Sequence, residues 1–215
     1  MNRGIVLVGG GGHCEAVIEA LRASRRFTIR GIVDSNPEIK TVSGVPMIGG
    51  DECLAAIRKD ICPHALITIG SVGHPTARRR LAELLRKLDF RCPAVVHPAA
   101  CVARTAAVGE GAFVGKGAIV NAYARIGSHA IVNTGAIVEH HCSTGDFVHV
   151  APGAVLCGGV FVGTNTHIGA NATVIEGTRI GDNVLVGAGA VVVRDIPARR
   201  KAFGNPSTLR GWHVF

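Results

Sequence analysis

The sequence predicts two domains of different class. A small α/β domain with a parallel sheet occupies residues 1–93, an all-β parallel β-helix of hexapeptide repeats occupies 94–193, and a tail at 194–215 closes the helix. Three observations carry this. From Val96 to Val192 every sixth residue is aliphatic, with Thr144 as the exception. Four places after these come small or β-branched residues, among them Ala118, Ala136, Cys142, Ala154 and Ala172. Ahead of the repeat, short apolar strands alternate with helical patterns in β-α-β order, which builds a parallel sheet with helices on its faces.

The first strand is Ile5–Val8, too short an apolar run for a signal peptide. Gly9-Gly10-Gly11-Gly12-His13 follows, then a helical pattern from Glu15 to about Ser24 with Val17, Ile18 and Leu21 on one side. Ile29–Val33 reads as the second strand and ends in the turn Asp34-Ser35-Asn36-Pro37. Asp51 is expected to cap a helix reaching about Arg58, Ala65–Ile69 forms the third strand, and Pro75 opens a basic helix to about Leu88. From residue 98 to 190 the period of six holds without a slip. That period is neither helical nor alternating; it belongs to a parallel β-helix in which the aliphatic residue points inward. Glycines at the corners supply backbone angles that other residues resist.

Composition narrows the function. Of 215 residues 47% are hydrophobic but only 4% aromatic, and 29 are glycine, which suits a thin-cored β-helix. No run of apolar residues is long enough to span a bilayer, so no membrane span is expected. The seven cysteines are odd in number and form no CxxC pair, which points to reduced thiols and a cytoplasmic chain. The net charge of +8 is scattered, or gathered on Arg78, Arg79, Arg80, Arg86 and Lys87 and on Arg199, Arg200 and Lys201. Few aromatics interleave with it, so anionic small molecules are favoured over nucleic acid.

Two places carry chemistry. Bare amides of the glycine run at a helix start attract phosphate, and Asp34, about twenty residues further on, suits a ribose hydroxyl. The run departs from GxGxxG, because the third position falls on Cys14 or Glu15, and this argues against an NAD enzyme. In the repeat, Glu139-His140-His141 and His149 interrupt an otherwise bland pattern. His140 takes an outward corner position, where folding needs no histidine. An imidazole there is a natural general base, with Glu139 as a group to orient it. His141 stays open as the alternative base. No ligand spacing of a known zinc class occurs, so no metal is expected.

The repeat resembles that of the hexapeptide acyltransferases, which fold as a left-handed β-helix. The GGGGH run, Val33-Asp34, Ile69-Gly70-Ser71, Glu139-His140 and His149 resemble one subfamily, the nucleotide-sugar N-acetyltransferases of bacillosamine and perosamine pathways, with the related sialic-acid O-acetyltransferases. The resemblance implies a Rossmann-like first domain that holds the nucleotide, UDP or GDP, of an amino sugar used in surface polysaccharides. Gly11, Gly12 and His13 would touch the phosphates, Asp34 and Ser35 the ribose or base, and Gly70 the same crevice. It further implies acetyl-CoA as co-substrate and a homotrimer with CoA in the groove between neighbouring β-helices. His140 would be the base, His149 would lie by the thioester, and Gly158, Ala170 and Ala188 would line the pantetheine path. In the subfamily the residue after the base is often acidic; here it is His141. The function expected is N-acetylation, at C4, of a nucleotide-linked aminodeoxysugar. The alternatives are O-acetylation of a sialic-acid-type sugar and a non-catalytic β-helix sensor.

Overall fold

A computed structural model describes residues 3–36, 38 and 40–211. Met1, Asn2, Pro37, Ile39 and the last four residues of the tail lie outside the described residues. Two units separate, Met1–Ser71 with Thr76–Pro98, and Val72–Pro75 with Ala99–Phe215.

In the first unit, β1 (Arg3–Val8), β2 (Phe27–Val33) and β5 (His64–Ile67) form a parallel sheet in the order β2-β1-β5, with helices α1 (Gly12–Ser24), α2 (Leu54–Asp60) and α3 (Thr76–Lys87). A hairpin of β3 (Thr41–Val42) and β4 (Val45–Pro46) stands after β2. Val6, Val8, Val33, Leu54, Ile57, Leu81 and Leu85 make a shared core. Burying each of these side chains contributes about 1.5–3 kcal/mol. The first helix begins at Gly12, earlier than the side-chain pattern indicates, with Gly11 as its extended N-cap. His13 therefore sits in its first turn. Asp51 opens a 3-10 turn to Cys53 instead of capping the helix.

The second unit is a parallel β-solenoid of about six turns. Its strands are two residues long and stack eighteen apart, as in Ile119↔Ile137 and Ile137↔Val155. Three faces result. One carries Ile119–Val120, Ile137–Val138, Val155–Leu156, Thr173–Val174 and Val191–Val192; the next carries Arg125–Ile126, Ser143–Thr144, Phe161–Val162 and Arg179–Ile180. The third carries Phe113–Val114, Ile131–Val132, His149–Val150, His167–Ile168 and Leu185–Val186, and ends in Arg200–Phe203 paired with Thr208–Gly211. The inward residues Val120, Val138, Leu156, Val162, Ile168 and Ile180 are fully buried, as are Ala136, Ala154 and Ala172 beside them. Thr144 is buried too, and its Oγ1 accepts the Gly127 N–H at 3.2 Å.

Corners need one residue in the left-handed region per strand. Glycine fills some, such as Gly135 (φ 64°), but Tyr123 (φ 61°), His141 (φ 59°), Phe147 (φ 58°) and Asn165 (φ 62°) hold others. Non-glycine residues are uncommon at such φ. Here their side chains stack from coil to coil, Tyr123 on His141 and His129 on Phe147, both with centroids 5.2 Å apart.

Candidate functional site

Two clusters form, one in each unit. In the first unit the bare end of α1 meets the carboxyl end of the sheet. Gly9 has φ 114° and lies against Ile69, so a side chain there has no room. A Cβ at Gly11 or Gly12 would meet nothing within 4 Å, so both face open space. Asp34 follows β2 and ties the loops together: its Oδ2 accepts the Gly10 N–H at 2.6 Å and its Oδ1 accepts the Asn36 N–H at 2.8 Å. Thr68, fully buried, donates its hydroxyl to the Gly9 carbonyl at 2.5 Å. Gly70 is next to His13: a Cβ on Gly70 would lie 3.5 Å from the His13 Cβ. Gly11, Gly12, His13, Asp34, Ser35 and Gly70 thus gather at the carboxyl end of the sheet. A cavity of about 460 Å³ adjoins them, lined by Asp34, Ser35, Asn36, Lys40, Gly49 and Glu52 among others. Sequence reading missed its far wall. The Gly49-Gly50 pair was its only signal.

In the solenoid, His140 sits on the corner that follows Ile137–Val138, and it is exposed. Gly158 occupies the same corner one coil on, and its absent side chain is what admits the ring: a Cβ there would lie 2.6 Å from the His140 Cε1. Glu139 does not bind the imidazole. Its Oε2 accepts the backbone N–H of His140 at 3.2 Å, and its Oε1 accepts the Asn121 Nδ2–H at 2.8 Å. Instead the His140 Nδ1 lies 3.2 Å from the His141 Nδ1.

His149 is elsewhere, on the third face, and only 8% exposed. Its Nε2 is 3.2 Å from the Asn133 Nδ2. Because Asn133 Oδ1 accepts the Thr134 N–H at 2.8 Å, the Asn133 amide is oriented to donate, and His149 Nε2 accepts. The His167 ring packs edge-on against His149 at 4.9 Å. Burial, and then the neighbouring His149, push the His167 pKa down to about 4. Ala170 and Ala188 stack on the corner after this face, not on the corner of His140 and Gly158. Within one chain the predicted site residues of the solenoid therefore fall into two groups.

Neither cysteine near the first group is an activated nucleophile. Cys142 points inward and donates its Sγ–H to the Cys157 carbonyl at 3.0 Å. Burial raises both the Cys142 and the Cys157 thiol pKa. Among the described residues, no cluster of three or more His, Cys, Asp or Glu is placed to hold a metal ion. No helix among them is long and apolar enough to cross a membrane.

A small parallel α/β domain followed in sequence by a hexapeptide solenoid, with histidines on an outer corner, defines a class of hexapeptide-repeat transferases. Residues 4–85 match the PglD N-terminal domain and residues 159–194 the bacterial transferase hexapeptide. PerB from Caulobacter crescentus, solved in complex with CoA and GDP-perosamine, superposes with a TM-score of 0.91 at 40% identity over 97% of both chains. The acetyltransferase domain of PglB from Neisseria gonorrhoeae, solved with acetyl coenzyme A, gives 0.88 at 33% identity, covering 98% of this chain and 100% of that one. UDP-N-acetylbacillosamine N-acetyltransferase of Bacillus subtilis is 37% identical over 116 residues, and this match spans only 51% of that curated relative. The chain belongs to the nucleotide-sugar N-acetyltransferase family of hexapeptide-repeat proteins.

Proposed function

We propose that this protein transfers the acetyl group of acetyl-CoA to the amino group, at C4, of a nucleotide-linked aminodeoxysugar, with His140 as general base. The observation that carries the reading is an exposed imidazole leaning over a glycine on a solenoid corner, where folding gives it no task. Its Nδ1 is engaged by His141, so Nε2 is the atom that meets the substrate. The amine nitrogen attacks the thioester carbonyl, His140 Nε2 takes the proton, the C–N bond forms, and the C–S bond breaks to release CoA thiolate. The developing oxyanion accepts the Gly158 N–H. No hydrogen bond among the described residues uses that N–H. Transfer is direct, with no acyl-enzyme.

His149, Ala170 and Ala188 lie by the acetyl-CoA, as the resemblance implies. Their separation from His140 within one chain supports a homotrimer, in which the His140 corner of one subunit faces the third face of the next. In the first unit, the α1 amides at Gly11, Gly12 and His13 hold the phosphates. Each Asp34 oxygen keeps a lone pair for a ribose hydroxyl, Ser35 and the adjoining cavity take the base, and Gly70 lines the crevice. The relative crystallised with GDP-perosamine matches nearly the whole chain, so GDP-linked 4-amino sugars are the first substrates to try.

The test is CoA release with acetyl-CoA and a panel of GDP- and UDP-linked 4-amino sugars, for wild type and His140→Ala. Turnover with one sugar and a loss of about 10²–10⁴-fold in the variant are expected. A folded His140→Ala protein with wild-type turnover removes the base assignment. A folded wild type inert toward the whole panel, yet active on a free sialic-acid-type sugar, replaces N- with O-acetylation.

A further inference from the structure

The Nδ1 of His140 faces a second imidazole, that of His141. The two Nδ1 atoms are 3.2 Å apart and the rings are crossed at 82°. Glu139 is committed elsewhere, to Asn121 and to the His140 backbone N–H. A hydrogen bond between two imidazole nitrogens needs a proton on one and a lone pair on the other. His141 is held in place independently: its backbone lies in the left-handed region at φ 59°, and its ring stacks on Tyr123 at 26° between planes.

We propose that His141 is the positioning residue of the base, its Nδ1 accepting the Nδ1–H of His140 so that the Nε2 lone pair of His140 points to substrate. This rests on the reading of His140 as base. It settles the tautomer, because the proton on Nδ1 obliges Nε2 to be the basic atom. It also sets the electrostatics of the step. When His140 takes the substrate proton at Nε2, its Nδ1–H remains bonded to a neutral acceptor. A carboxylate in that place would hold the imidazolium more strongly and keep the base protonated to higher pH. The titratable groups around the pair are Tyr123, Glu139 and Cys157 on its own and the neighbouring coils, with Arg104 one coil before Ala122 and Glu176 one coil beyond Gly158 on the same corner. A neutral partner therefore orients the ring without adding a charge to a corner that already holds Glu139.

Three substitutions separate this from a merely structural role. His141→Phe keeps a ring to stack on Tyr123, and phenylalanine already holds such a corner at Phe147 (φ 58°). His141→Asn restores an acceptor, its Oδ1 standing one bond beyond Cγ as the Nδ1 does, and asparagine holds such corners at Asn165 and Asn171. His141→Asp adds the charge. Expected are a fall in kcat of about tenfold for His141→Phe with little change in either KM, recovery of most of it in His141→Asn, and an acid limb of kcat/KM moved up by about one pH unit in His141→Asp. A substrate-free readout runs beside them: nitrogen-15 spectra of labelled histidine, with His140 protonated on Nδ1 in the wild type and shifting toward the Nε2–H form in His141→Phe. Wild-type kcat in His141→Phe, an asparagine variant no better than the phenylalanine one, an unmoved acid limb, or a wild-type His140 protonated on Nε2 each overturns the proposal. His140→Ala, measured in parallel, separates the two readings: if it retains turnover the base assignment fails, and if it loses turnover while His141→Phe does not, only the positioning role fails.

Discussion

Gly158→Ala probes the candidate base by displacement alone. A methyl group on Gly158 lies 2.6 Å from Cε1 and 2.8 Å from Nε2 of His140. Nonbonded carbons rest at about 3.5–4.0 Å, so the ring must retreat by roughly 1 Å. The retreat costs the fold little. The ring is the outer end of an exposed side chain, and Gly158 is not among the positive-φ glycines. Stability should change by no more than about 0.5 kcal/mol. The reaction is less tolerant, since a misplacement of about 1 Å can cost about 10²-fold in rate, or about 2.7 kcal/mol of barrier. The assay is thiol release from acetyl-CoA at saturating sugar, with thermal unfolding measured on the same preparations. Gly159→Ala is the control: its φ is 70° and nothing lies within 4 Å of its Cβ. It should lose about 1–2 kcal/mol of stability, the cost of a Cβ in the left-handed region, and keep wild-type turnover per folded molecule. A Gly158→Ala enzyme with wild-type kcat refutes the placement of the base at this corner. Equal losses in both variants refute it as well, because the corner backbone and not the ring would then matter.

The His167 imidazole should make stability depend on pH. Its pKa lies near 6.5 unfolded and at about 4 folded. As pH falls through that window the unfolded chain binds a proton that the folded protein refuses. Stability therefore drops between about pH 6.5 and 4, by as much as about 3 kcal/mol, and levels below; urea unfolding against pH should show this slope, flattened in His167→Leu. Asp34→Ala releases the Gly10 and Asn36 N–H groups and should raise KM for the nucleotide sugar about tenfold, leaving KM for acetyl-CoA unchanged in steady-state kinetics. Thr144→Val restores the aliphatic repeat yet strips the Gly127 N–H of its acceptor. Chemical unfolding should find it less stable by about 1 kcal/mol, although the pattern predicts a gain.

What the sequence by itself determined is the solenoid, its register and the histidines on its outer corner. Each hexapeptide meets the same local requirement, an inward aliphatic and a small neighbour, so Val138, Leu156 and Val174 announce their position without knowledge of the rest. The family was marked by the repeat together with the GGGGH run, Val33-Asp34, Ile69-Gly70-Ser71, Glu139-His140 and His149, the last two legible because they break a pattern that is otherwise uniform. Element edges were less legible. The first helix starts at Gly12 because the backbone, freed of side chains, can turn there before any apolar period begins. Tertiary structure alone decided the partners. Asn121 and Glu139 are eighteen residues apart in sequence but adjacent across coils, and their bond takes the carboxylate away from the ring that the sequence offered it. The left-handed backbone at His141 and its place one coil from Tyr123 follow from the period of six, but the His140–His141 contact depends on the rotamers of both rings, which no spacing encodes. Asp34 is held by the glycine loop because β1 and β2 lie side by side. Short-range periodicity fixes where a side chain sits on its coil; which atom it meets depends on rotamers and on neighbours a full coil away.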